Sequence, residues 1–131
     1  MNTNFKERIL QMASAQTQLL EKQNTPINFN NGVYQRYQNP VLTAKHIPFN
    51  WKYDLNELTN PFLIERFGIN AVLNPGAIKW NGKYILMARV EGIDRKSFFA
   101  IAESPNGIDN FKFWDYPIEM PETENPDTNV Y

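Results

Sequence analysis

Asn81-Gly82, set between two apolar runs, constrains this chain more than any other feature of its sequence. Asn-Gly supplies the two positive-φ positions of a two-residue hairpin turn at little cost, so the runs on either side must pair as antiparallel strands. Ala77 to Trp80 is the run before the turn and Tyr84 to Glu91 the run after it. Gly92 to Lys96 then reads as a polar turn and Ser97 to Glu103 as a third strand. Ser104-Pro105-Asn106-Gly107 turns the chain again, and Phe111 to Trp114 makes a fourth strand. Four short strands joined by tight turns predict a meander sheet the size of one propeller blade. Such a blade cannot cover both of its own faces, which points to a fragment of something larger.

The first residues follow a different period. Phe5, Ile9, Met12, Ala13, Leu19 and Leu20 recur at helical spacings, which predicts an amphipathic helix within residues 1–24. Asn4 with Glu7 offers a capping box, and Asn24 and Pro26 end the pattern. The apolar stripe must pack either on the rest of the chain or on a neighbouring subunit. Residues 25–70 show no clean period. Their prolines at 26, 40, 48 and 61 and the rings of Tyr34, Tyr37, Phe49, Trp51 and Tyr53 predict extended segments and ordered loops.

Composition narrows the function classes. A formal net charge of −1, with no basic run, argues against nucleic acid or an anionic membrane surface as partner. The absence of cysteine excludes disulfides, thiolate chemistry and Cys-ligated metals. Lys6, Glu7 and Arg8 break up the N-terminal pattern, which therefore reads as neither a signal peptide nor a membrane span. A soluble, cytoplasmic protein is expected. Aromatic residues reach 14%, which suits either a β-rich protein with carbohydrate-facing surfaces or rings that simply fill a core.

Few residues carry chemistry on their own. Alternation along Tyr84–Glu91 puts Tyr84, Leu86, Ala88 and Val90 on one face, and Ile85, Met87, Arg89 and Glu91 on the other. Arg89 with Glu91 is either a salt bridge or part of a site. The charged turn Asp94-Arg95-Lys96 is either solvated or functional. Asn74-Pro75-Gly76 is either an ordinary turn or a place where backbone approaches a ligand closely. His46, the single histidine, reads as structural, and no spacing of His, Asp and Glu makes a metal site.

Several motifs taken together are more specific. Arg36-Tyr37-Gln38-Asn39-Pro40-Val41-Leu42-Thr43, Trp51-Lys52-Tyr53-Asp54-Leu55-Asn56 and Glu65-Arg66-Phe67-Gly68-Ile69-Asn70-Ala71 resemble the start of glycoside hydrolase family 130. Asn74-Pro75-Gly76-Ala77-Ile78-Lys79-Trp80, the run Ala88 to Ser97, the run Ala102 to Asp109, and Asn129-Val130-Tyr131 continue the likeness. The resemblance implies an all-β, five-bladed β-propeller, of which residues 25–131 would be the incomplete first part. A complete one needs roughly 250 residues at about 40–50 per blade.

The resemblance also implies an activity. Inorganic phosphate would attack the anomeric carbon of a β-1,4-mannosyl-glucose disaccharide with inversion, giving α-mannose 1-phosphate and glucose, with no cofactor and no metal. Carried over residue by residue, Asn74 borders the mannosyl subsite and Arg89 and Arg95 donate hydrogen bonds to sugar hydroxyls. Tyr131 lines the same pocket, while Glu91 and Asp94 orient the arginines. The family keeps its general acid, an Asp, directly after the Asn-Val-Tyr motif, so the 131-residue chain is expected to be inactive by itself. The parent is expected to be a homo-oligomer. Two other readings are a non-catalytic carbohydrate-binding or oligomerisation fragment, and a β-mannoside hydrolase of the same fold.

Overall fold

The computed structural model describes residues 3–122, 124 and 125. Helix α1 (Thr3–Glu21) leads into a hairpin of β1 (Pro26–Asn30) and β2 (Gln35–Tyr37). A 3-10 turn (Ala44–His46) and a one-turn helix α2 (Phe49–Lys52) follow. The four-stranded sheet then runs β3 (Ile69–Trp80), β4 (Lys83–Gly92), β5 (Ser97–Ser104) and β6 (Lys112–Phe113), antiparallel and in chain order. Among the described residues no helix is long and apolar enough to cross a membrane.

The meander follows the local signals closely. Asn81 and Gly82 take φ of 49° and 73°, and Trp80 faces Lys83 across the turn. Leu86, Ala88 and Val90 are buried, whereas Met87 and Arg89 on the other face are exposed. The buried face packs against Ile47, Phe111 and the half-buried Val41, Leu42 and Trp51. Ala88, Ala100 and Ala102 have no exposed surface, and their small side chains let the 41–51 segment lie close on the sheet. Trp51 sits 5.9 Å, ring to ring, from both Phe98 and Phe113, and its indole N–H donates to the Asp115 carbonyl at 2.8 Å.

Helix α1 lies on its own chain. Phe5 is buried, and Ile9, Met12, Ala13, Gln16, Leu19 and Leu20 are half-buried along one stripe. Arg8 donates to the Phe62 carbonyl at 2.7 Å and Gln16 to the Ile47 carbonyl at 2.8 Å. Asn4 falls inside the helix and does not precede it as an N-cap. The capping box is elsewhere: Thr43 caps the 3-10 turn, and its own N–H donates to His46 Nδ1 at 2.9 Å.

That contact, together with burial, makes His46 structural. Burial pushes its pKa below the ordinary value of 6.5. The folded state therefore binds its proton less readily than the unfolded state. Stability from neutral His46 is complete above about pH 6.5 and is lost as pH falls through the lower folded value. Melting of the protein at stepped pH should show the midpoint dropping below about pH 6.5. H46Q, which keeps an acceptor for Thr43 N–H, should flatten that drop; an unchanged profile would remove His46 as its source.

The chain past the helix is pinned by Asn24. Its backbone N–H donates to Asp109 Oδ2 at 2.9 Å, and its side-chain amide donates to the carbonyls of Asn39 (2.8 Å) and Ile108 (3.1 Å). Its Oδ1 accepts from Asn39 N–H at 2.8 Å. The Asn106 side chain, then this Asn24 N–H, hold the Asp109 carboxyl below its usual pKa.

The structure corrects the expected fold class. Among the described residues there is a 19-residue helix, a two-stranded sheet and a separate four-stranded sheet, with no closed ring of strands. The described residues thus form not an all-β, five-bladed propeller but a helix with two antiparallel sheets. A meander is set by neighbouring turns and says nothing of closure, which depends on contacts far apart in sequence. Two elements also differ in extent. β3 begins at Ile69 where a strand from Ala77 was expected, and the β1–β2 pair lies in a stretch expected to be irregular.

Candidate functional site

The described site residues that the sequence points to gather along β4 and its two flanks. Along β3, Leu73 pairs with Arg89 and Gly76 with Met87, so Asn74 and Pro75 together oppose Ala88 alone. This is a β-bulge, and Asn74 takes a φ of 34°, a conformation that Asn tolerates better than most residues. Pro75 fits there because a bulge does not require its missing N–H in the ladder. A side chain added at Gly76 would meet open space, so nothing in the described structure requires glycine at that position.

Arg89 is exposed in the middle of the sheet, between Leu73 on β3 and Phe99 on β5. Two residues on, Glu91 shares its face at the end of β4. The Glu91 side chain is only 16% exposed. Its Oε1 accepts from the Asn70 amide at 2.7 Å and from Arg95 Nη1 at 3.4 Å. The Arg95 side chain is 80% exposed.

The turn that carries Arg95 is tightly built. Gly92 N–H donates to the Lys96 carbonyl at 2.9 Å, and Arg95 N–H to the Gly92 carbonyl at 3.0 Å. Arg95 itself takes a φ of 69°. Asp94 Oδ1 accepts from Lys96 N–H at 3.0 Å and so shapes the turn. A Cβ on Gly92 would come within 2.8 Å of Asp94 Oδ1 and 3.0 Å of the Phe67 ring, which is why glycine stands there.

The structure therefore brings Arg89, Glu91 and Arg95 to one end of one sheet face, with Asn74 next to the cross-strand partner of Arg89. Asp94 lies in the turn, and Tyr131 falls outside the described residues. Asn70 was missed in the sequence. A hairpin register extended straight back from Asn81-Gly82 would set Val72 opposite Glu91, whereas across the bulge it is Ala71, next to Asn70, that stands there. Farther along, the same face carries exposed apolar side chains (Ile78 is 62% exposed, Trp80 57%, Met87 43% and Phe99 38%) around the buried Ile85, and a Lys83–Glu103 ion pair at 3.1 Å.

An exposed pair of arginines beside open aromatic surface is an arrangement that can meet a polyhydroxylated ligand. Comparison with known proteins finds a likeness to a carbohydrate phosphorylase. The chain is 59% identical over 127 residues to 4-O-β-D-mannosyl-D-glucose phosphorylase of Bacteroides fragilis. The match covers 97% of this chain and 33% of that enzyme, so the chain spans about a third of the length of the relative it matches. No family model matches the chain. The likeness drawn from the scattered motifs thus extends along nearly the whole sequence, and it is to an enzyme.

Proposed function

We propose that the protein of which this chain is part is an inverting phosphorylase of 4-O-β-D-mannosyl-D-glucose. A phosphate oxygen forms a bond to the anomeric carbon as the glycosidic C–O bond breaks. The leaving oxygen takes up a proton from a general acid, and the products are α-mannose 1-phosphate and glucose. The observation that carries this reading is the 59% identity to an enzyme named for that substrate.

In this proposal the chain contributes binding residues. Arg89 and Arg95 donate to mannosyl hydroxyls, and Asn74 offers an amide at the bulge beside them. Glu91 and Asp94 hold the arginines, and Tyr131 lines the same subsite. The exposure of both arginines on one sheet face supports these roles. No described residue is assigned the proton.

The test is to incubate the full-length protein with mannosyl-glucose, with and without phosphate. Phosphate-dependent formation of α-mannose 1-phosphate is the expected result. Release of free mannose without phosphate would identify a hydrolase instead, and absence of any turnover would leave a binding role. Arg89→Ala should lower kcat/KM by roughly 10–100-fold, the cost of a lost charge-assisted hydrogen bond.

A further inference from the structure

We propose that Asn70 and Glu91 act as a positioning pair that sets the guanidinium of Arg95 for its ligand. The inference rests on the phosphorylase reading above and deepens it. Glu91 is the most enclosed charge of the group, and a carboxylate oxygen removed from water needs hydrogen-bond partners in its place. Asn70 supplies one at 2.7 Å, from the neighbouring strand. That bond fixes where Oε1 stands, and Oε1 is the atom that Arg95 reaches.

An ion pair with so exposed an arginine adds little stability, because water screens it. Its effect is instead on geometry. An unrestrained Arg side chain loses rotamer entropy when a ligand fixes it. Here the backbone of Arg95 is already held by the closed turn at φ 69°, and its head is tethered through one Nη. A guanidinium has five N–H donors, so one tether leaves others for sugar hydroxyls. Asn70 touches no ligand in this account. It acts through Glu91, and Glu91 acts through Arg95.

Three substitutions in the full-length protein test this: Asn70→Ala, Glu91→Gln and Arg95→Ala, singly and in pairs, each assayed for phosphorolysis of mannosyl-glucose. N70A removes an exposed side chain and E91Q keeps the side-chain shape, so melting temperatures should stay near that of the wild type. Each should lower kcat/KM about tenfold, chiefly through KM. In the R95A background neither should cause any further loss, because the group they position is gone. Equal losses with and without Arg95 would overturn the proposal and leave a purely structural bridge between β3 and β4. Wild-type activity in both single variants would overturn it as well. A wild-type protein with no phosphate-dependent turnover would instead overturn the phosphorylase reading, and this inference with it.

Discussion

Ile47→Ala is expected to destabilise the protein by about 2–5 kcal/mol, the range for emptying a buried aliphatic site. Ile47 is 1% exposed and sits in the cluster that joins the 41–51 segment to Leu86, Ala88 and Val90. Its carbonyl also accepts from Gln16, so the same residue ties α1 to the sheet. The three buried alanines facing the segment cannot swell to fill the cavity. I47V should cost only about 0.5–1.5 kcal/mol, because one methylene leaves little empty space. Denaturant titration of both variants gives the two values. Near-equal midpoints for wild type and I47A would mean that this segment does not lie on the sheet.

Asn24→Ala is expected to cost about 2–3 kcal/mol, at roughly 1 kcal/mol for each of the three hydrogen bonds of its side chain. The loss should be larger than for an ordinary loop Asn, because the N–H and C=O of Asn39 and the C=O of Ile108 lose their partner together. The Asp109 carboxylate keeps its bonds from Asn106 and from Asn24 N–H, so it should not be the cause of the loss. Comparing N24A with N24D separates the terms: Asp retains the acceptor for Asn39 N–H but loses both donors.

What could be read from the sequence was mostly what neighbouring residues decide. The Asn81-Gly82 turn and the faces of β4 were legible because a two-residue turn and a period of two are local properties. The helix was legible from the spacing of Phe5, Ile9, Met12 and Leu19. The first half of β3 was not, because the bulge at Asn74-Pro75 shifts the alternation by one residue and hides the strand on its far side. The β1–β2 hairpin was missed although Asn31-Gly32 marks its turn. Gly32 takes a φ of 81°, and Asn31 Oδ1 accepts from the N–H groups of Val33 and Tyr34. Its first strand, Pro26-Ile27-Asn28-Phe29-Asn30, does alternate, but its second has only three residues, too few to show a period.

The propeller failed for the opposite reason. Ring closure is a long-range property that no turn signal encodes. The candidate site falls between the two cases. Arg89, Glu91 and Arg95 could be named from motifs, and Glu91 could be placed beside Arg89 by alternation. The link to Asn70 needed the register across the bulge, and only the structure supplies that.

The Asn24 contacts also bear on the order in which the chain folds. The bonds from Asn24 to Ile108 and Asp109 span 84 and 85 residues of chain, whereas the turns of the meander join strands only a few residues apart. Closing so long a loop carries a large entropic cost, and the contact rewards it only once both ends are already shaped. The knot should therefore form after the β3–β4–β5 hairpins, on the native side of the folding barrier. In kinetic terms the part of the N24A loss that comes from the Ile108 bond should leave the folding rate nearly unchanged and speed unfolding, so that this contact governs how long the folded state persists rather than how quickly it is reached.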